Sequence, residues 1–477
     1  MVSFIGRKKE LEQLELLQRK KSSSLIVVKG RRRVGKSRLI REFASKTRFL
    51  RFSGIPPEEK ITDQIQRDVF AHQLGEQLGL PGLIASDWAD LFTLLAKQTI
   101  EGPVIILLDE ISWMGSKDPT FLGKLKNAWD LEFSNNSQLI MVLCGSVSVW
   151  VEENILKNTA FFGRISLRMT LEELSLGECS QFLGLLGNGR RSPYETFKIL
   201  AVTGGIPWYL EQIHGSLNAD ENIKNLCFRK NGVLSEEFDL IFHDLFSKKN
   251  EVYKKIVNVL SKGHLEFNQI CQEVDYSKSG ILGEYLGNLQ EAGFVTRDFT
   301  WNIKDGHLSS LSHFRLSDNY LRFYLKYILP IADKISRDEF ADVSMTSLLG
   351  WDTIMGLQFE NLVLKNRKEV RKILRIRPED VVLDNPFFQR KSTKCKGCQI
   401  DYLIQTRFKT LYVCEIKFSR NEIKVDIVEE VKNKIERLAL PRGFAVCPVL
   451  IHVNGVHDAV VDSNYFSEII DFSLLLE

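Results

Sequence analysis

Residues 30–37 read Gly-Arg-Arg-Arg-Val-Gly-Lys-Ser, the complete pattern Gly-x-x-x-x-Gly-Lys-Ser/Thr. Each residue type answers a chemical need. Two glycines let the backbone curl so that successive N–H groups aim at phosphate oxygens. The lysine reaches the β- and γ-phosphates, and the serine hydroxyl is a magnesium ligand. The flanks agree with this reading. Leu25-Ile26-Val27-Val28 is a short apolar strand before the loop. Residues 37–43 open a helix after it, with the positive end of the helix dipole at the phosphates. The expectation is a nucleoside triphosphate held by Gly30, Arg31, Arg32, Arg33, Val34, Gly35, Lys36, Ser37 and Arg38, with Mg²⁺ on Ser37.

A second element of a phosphate site follows at 104–110, Val-Ile-Ile-Leu-Leu-Asp-Glu. It reads as a buried parallel strand ending in two carboxylates. Asp109 is placed to hold Mg²⁺ through water, and Glu110 to polarise the attacking water as a base. A third apolar strand, 139–146, ends in Ser146, which reads either as a γ-phosphate sensor or as a strand-end cap. Arg164, in Phe-Phe-Gly-Arg, reads either as a phosphate-neutralising group, in cis or across an oligomer, or as a solvated arginine.

Two flanking pieces carry a resemblance. Residues 4–11 are Phe-Ile-Gly-Arg-Lys-Lys-Glu-Leu, and residues 204–210 are Gly-Gly-Ile-Pro-Trp-Tyr-Leu. With the phosphate motifs, they make residues 1–215 resemble the archaeal-type P-loop ATPases of the AAA+/STAND group. The resemblance implies that Ile5, Gly6 and Arg7 flank the adenine of ATP. It implies that Pro207 sits in a helical lid that closes on the nucleotide, and that ATP and ADP are the ligands. No guanine-specific Asn-Lys-x-Asp is present. The expected organisation is an ATPase core at 1–168 and a lid at 169–240.

Composition sets outer bounds. The chain has 477 residues and a net charge of +3, too small by itself to imply a polyanion partner. No apolar run approaches the roughly 20 residues a membrane helix needs. The first nine residues lack a signal-peptide core. Eight scattered cysteines in a chain of this length suit a reducing cytoplasm, the expected location. Cys395-Lys396-Gly397-Cys398 is a single pair without a second, and reads as a surface turn.

Residues 241–330 read as a winged helix. Val252, Ile256, Val259 and Leu260 lie at helical spacing, and Phe267, Ile270 and Val274 mark a second helix. Ser277 caps a third, with Ile281, Leu282, Tyr285, Leu286 and Leu289 on its apolar side. Gly293 ends it, and residues 294–297 and 314–317 form a wing. That third helix offers Lys278 but also Glu284, Gln290 and Glu291, so DNA and protein are both open as its partner. The ATPases named above commonly carry such a module. Residues 318–323, Asp-Asn-Tyr-Leu-Arg-Phe, resemble their Asp-x-x-Leu-Arg-Phe segment, which leads to a last domain.

In that last third, 335–477, the constellation is Gln399-Ile400-Asp401 followed by Cys414-Glu415-Ile416-Lys417. A hairpin of the two strands brings Asp401 and Glu415 side by side, a hard-oxygen pair suited to Mg²⁺ or Mn²⁺. Lys417 shares the face of Glu415 and is placed to stabilise a charged phosphoryl state. Glu360 is a third acidic candidate. The pattern resembles the restriction-endonuclease-like superfamily, Asp…Glu-x-Lys, and the C-terminal domain of archaeal-type ATPases. The departure is Gln399 where relatives often have Glu. Residues 365–377 hold seven basic side chains in thirteen, which points to a DNA backbone footprint.

The expected fold class is therefore α/β multidomain: P-loop core, helical lid, winged helix, and an α/β nuclease-like end. Two functions stay open. One is an ATPase controlling a DNA-directed nuclease-like domain. The other is a nucleotide-dependent switch whose C-terminal domain binds DNA or protein without cleaving.

Overall fold

A computed structural model describes residues 4–80, 82–146, 148–185, 191–246, 250–276, 280–340, 343–391, 393 and 396–477. The chain is mixed α/β and forms two compact units. The first holds the residues through Leu174, Ile206–Trp208 and a short stretch near His243. The second holds Ser175–Gly205, Tyr209–Phe242 and the rest.

The first unit is built on five strands: β1 (Ser24–Lys29), β2 (Arg48–Ser53), β3 (Val104–Asp109), β4 (Leu139–Gly145) and β5 (Ile165–Thr170). They lie in the order β2-β3-β4-β1-β5, and every pairing is parallel. The reason is in the sequence. A strand covered by helices on both faces has no solvent face and so needs no alternation. Leu25, Ile26, Val27 and Val28 are accordingly all buried, as is the whole of β3 and β4. On one face an aromatic cluster of Phe52, Phe70, Trp88, Phe92 and Phe121 joins helices Asp63–Leu78, Trp88–Gln98 and Phe121–Leu131 to the sheet. Its closest pair, Phe52 and Phe70, stacks at 4.4 Å. In a parallel sheet all strands end at one edge, and that edge collects the loops after β1, β3 and β4.

In the second unit, helices Leu176–Leu185 and Pro193–Thr203, expected as part of a lid, pack with the chain's end. Phe197 meets Phe359 at 5.5 Å and Phe472 at 5.6 Å. Helices Asn250–Leu260, Phe267–Glu273 and Gly280–Glu291 precede an antiparallel hairpin of β6 (Val295–Trp301) and β7 (Leu308–Leu316). Ser277 and Lys278 lie outside the described residues. Helix Gly280–Glu291 carries no basic residue and exposes Ile281, Glu284, Gln290 and Glu291.

The remaining sheet contains β8 (Val381–Gln389), β9 (Cys398–Thr406), β10 (Thr410–Ile416), β11 (Ala445–His452) and β12 (Glu468–Asp471), in the order β12-β11-β10-β9-β8. Strands β8, β9 and β10 are antiparallel, whereas β10, β11 and β12 are parallel. Helix Asp426–Arg437 makes the crossover between β10 and β11. The β6–β7 hairpin is tied to this sheet. Trp301 Nε1 donates to Gln405 Oε1 at 2.6 Å, and Gln405 Nε2 donates to the Ile303 carbonyl at 2.9 Å. Among the described residues no helix is long and apolar enough to cross a membrane. The described cysteines are free thiols; Cys395 lies outside them.

Candidate functional site

The loop after β1 shows why its glycines are needed. Gly30 has φ +154°, and a Cβ there would stand 2.5 Å from the Leu171 carbonyl oxygen. Gly35 has φ +97° and caps helix Lys36–Phe43, whose N-terminus faces the loop. Lys36 is buried, and its ammonium donates to the carbonyls of Gly30 at 2.9 Å and Arg31 at 2.8 Å. Val34 is buried; Arg31, Arg32, Arg33, Ser37 and Arg38 are half-buried. Arg31 pairs with Glu173 at 3.2 Å.

The expected adenine box is tied directly to this loop. Arg7 adopts φ +59° at the start of helix Lys8–Gln18, beside the half-buried Ile5 and Gly6. Its Nη2 donates to the Val34 carbonyl at 3.1 Å and the Glu172 carbonyl at 2.6 Å. Pro207 and Trp208 of the Gly-Gly-x-Pro segment also reach this loop. A Cβ at Gly35 would lie 3.9 Å from Pro207 Cγ, and the Arg33 guanidinium lies 3.4 Å from the centre of the Trp208 ring.

Asp109 and Glu110 sit at the same sheet edge. Asp109 is buried and accepts from Arg51 Nη2 at 2.8 Å. Glu110 adopts φ +51°, which turns its side chain toward β4. One Glu110 oxygen, Oε2, accepts from both the Ser146 hydroxyl at 2.8 Å and the Ser146 N–H at 3.2 Å. Burial, reinforced by Asp109, pushes the Cys144 thiol well up, so it stays neutral. Arg164 forms a fork on Asp130, 2.6 Å from Nε and 2.8 Å from Nη2. That contact brings the Asp130 carboxyl down to about 2. Sequence reasoning missed Arg51; a single arginine at a strand end carries no local signal of its partner.

The second constellation also assembles. Asp401 on β9 accepts from the Ile416 N–H at 3.0 Å, which fixes it beside Glu415 on β10. Lys417 lies 3.0 Å from Glu415 Oε1 and 2.7 Å from Glu430. Lys434, one helical turn beyond Glu430 on the crossover helix, donates to both Glu415 oxygens at 2.6 and 2.8 Å. Its ammonium stands 3.7 Å from Asp401. Burial, and then the Asp401 charge, push Glu415 up to about 7 and Glu360 up to about 8. Glu360 lies in helix Trp351–Lys365, 3.8 Å from His264, with its Oε1 buried and without a hydrogen-bond partner. Burial draws His264 down to about 3, so this contact is neutral on the histidine side. Glu430 and Lys434 were not singled out from sequence. Their signal is an acid and a base four apart on the polar face of an amphipathic helix, a spacing that usually marks only solvated pairs.

Whether this cluster fits a divalent cation can be tested on the geometry. Among the described residues no three His, Cys, Asp or Glu side chains gather closely enough to hold a metal ion. Asp401 and Glu415 converge on Lys434, whereas Glu360, though its carboxyl feels the Asp401 charge, stands beside His264 instead. As arranged, the expected Asp401, Glu415 and Glu360 set does not fit Mg²⁺ or Mn²⁺. The basic run is also partly consumed. Arg367 donates to the Asp384 carbonyl and Asn385, Arg371 pairs with Asp384, and Arg390 pairs with Glu266. Lys368, Arg375, Arg377, Lys391 and Lys396 are exposed, and Lys394 lies outside the described residues.

Known proteins match the chain as follows. The family described as an ATPase domain predominantly from Archaea matches residues 4–213. The uncharacterized protein MJECL04 of Methanocaldococcus jannaschii is 23% identical over 372 residues, covering 78% of each chain. The uncharacterized ATP-binding protein MJ0423 of the same organism is 43% identical over 53 residues, 11% of this chain and 90% of that protein. Among solved structures, the Walker-type ATPase PABY2304 of Pyrococcus abyssi is similar at 16% identity and a TM-score of 0.49, over 68% of this chain and 96% of that one. Residues 4–213 are thus similar to the ATPase domains described as found predominantly in Archaea.

Proposed function

We propose that this domain binds and hydrolyses ATP, and that its nucleotide state sets the conformation of a C-terminal unit that engages DNA or protein without cleaving it. The observation that carries the switch is the course of the chain at 204–209. Pro207 and Trp208 pack on the phosphate loop at Gly35 and Arg33. The very next residue, Tyr209, is a member of the second unit, where its ring meets Tyr320 at 5.4 Å and its hydroxyl meets Glu237. A ligand that moves the loop acts on Pro207 and, through the peptide chain, on the residues at either side.

For hydrolysis, the phosphates take the N–H groups of the loop, and Lys36 exchanges its two carbonyl partners for β- and γ-oxygens. The donor set fits Mg²⁺: the Ser37 hydroxyl and the Asp109 carboxylate are hard oxygens. Bound there, the ion would neutralise phosphate charge. Arg51 orients Asp109, and Ser146 orients Glu110. Glu110 accepts the proton of the water that attacks the γ-phosphorus, ADP leaves, and the proton is released with phosphate. Arg7 holds the loop through Val34.

The test is ATP turnover and binding. Glu110→Gln is expected to lower turnover by roughly 10²–10⁴-fold with ATP still bound. Lys36→Ala is expected to lose both. Hydrogen exchange at 204–209 should differ between ADP and a non-hydrolysable ATP analogue, and identical exchange would sink the switch. Asp401, Glu415 and Lys417 lie side by side in the nuclease-like pattern, but with Lys434 on both carboxylates cleavage is not part of this reading. Asp401-dependent DNA cleavage would overturn it.

A further inference from the structure

The five charged groups around β10 form a chain of alternating sign: Glu430, Lys417, Glu415, Lys434, Asp401. The links are 2.7 Å from Glu430 to Lys417, 3.0 Å from Lys417 to Glu415, 2.6 Å from Glu415 to Lys434 and 3.7 Å from Lys434 to Asp401. A divalent cation shared by Asp401 and Glu415 must approach one oxygen of each at roughly 2.0–2.6 Å. The Lys434 ammonium already lies against both Glu415 oxygens and 3.7 Å from one Asp401 oxygen, Oδ1. The other Asp401 oxygen is taken by the Ile416 N–H. A metal entering between the carboxylates would meet a buried positive charge at contact distance, where screening is weak. Nor can Lys434 swing out without cost, since its departure leaves Glu415, almost fully buried, short of a donor.

We infer that Lys434 is the resident cation of the C-terminal site, neutralising the Asp401–Glu415 pair and excluding divalent metals from it. This makes the pair, with Lys434, an ion-paired element that ties β9, β10 and the crossover helix together. It goes beyond the nucleotide switch and stands or falls separately from it, because its readout needs no ATP.

The experiment is Mn²⁺ titration of the nucleotide-free full chain, read by electron paramagnetic resonance of free Mn²⁺. Wild type and Lys434→Arg, which keeps the charge, are expected to show no site that Asp401→Asn removes. Lys434→Met, matched in length but neutral, is expected to gain one site at least tenfold tighter than any wild-type binding. That site should vanish when Asp401→Asn is added. Lys434→Gln serves as the second neutral variant, with folding followed by circular dichroism. The inference is overturned if wild type itself binds Mn²⁺ in an Asp401-dependent way, a result that needs no Lys434 variant. It is equally overturned if folded Lys434→Met or Lys434→Gln gains no Asp401-dependent site.

Discussion

The two candidate sites both set a pair of carboxylates along the strands of a sheet, yet they are finished differently. Asp109 and Glu110 are steadied by one arginine and one serine, Arg51 and Ser146. Asp401 and Glu415 share an ammonium from a helix, Lys434, and Glu415 holds a second, Lys417, at 3.0 Å. In the first, the Ser146 hydroxyl and amide orient Glu110 without cancelling its charge, so it stays able to take a proton, and the one counter-charge, Arg51, sits on Asp109 alone. In the second, one ammonium reaches both carboxylates. The difference teaches that acidic residues at the right spacing name a type of site. The groups that arrive from other elements decide what it can bind.

The comparison can be broken from the backbone side first. Gly30→Ala places a methyl group 2.5 Å from the Leu171 carbonyl at a φ of +154°. Neither the backbone nor Leu171, whose N–H is held by Lys29, can yield cheaply. The expected cost is roughly 2–3 kcal/mol, and a fall in the melting point of the ATPase unit of roughly 5–10 °C. Nucleotide binding should weaken with it. An unchanged melting point would mean that the loop is not held by Leu171 as described.

The second site is sharpened by pH. Glu360 has a folded pKa of about 8 against an ordinary 4.5, from burial and then Asp401. The native state therefore holds its proton more tightly than the unfolded chain. Between pH 4.5 and pH 8 the native state binds more protons, so stability falls as pH rises through that window and levels beyond it. Glu415 adds the same sign up to about 7. Glu360→Gln, neutral at every pH, should match wild type near pH 4.5. By pH 9 it should be more stable by an amount on the order of 2–4 kcal/mol, read from denaturant unfolding across pH. A constant difference from pH 4.5 to 9 would show that Glu360 is charged in the folded chain.

Much of the first site was legible because its signals are local. Strand, glycine loop and helix follow one another within twenty residues, and each is read from its own neighbours. Asp401, Glu415 and Lys417 were legible for the same reason, since adjacent strands joined by a short turn must pair. Lys434 and Arg51 were not, because their role lies in a tertiary contact that no spacing encodes. The helices at 176–185 and 193–203 show the same limit. Their apolar faces announce burial, and only Phe197 meeting Phe359 and Phe472 says against what. The basic run shows it in reverse. Seven like charges were plain, yet Arg367 and Arg371 turn out to be anchors for Asp384 and Asn385.

Arg164 brings the comparison to its smallest expected effect. If the first site is finished by Arg51 and Ser146 alone, Arg164 is a support for Asp130 on the Phe121–Leu131 helix, as its two short contacts depict. Arg164→Ala should then change ATP turnover by less than about twofold at any protein concentration, since an exposed ion pair contributes little. An arginine that neutralises the transferring phosphoryl group is instead worth roughly 10³–10⁵-fold. A loss of that size would show that Arg164 leaves Asp130 during turnover. If the loss can be rescued by mixing Arg164→Ala with a Glu110→Gln chain, the arginine acts across subunits, and the first site too is completed by a charge from elsewhere.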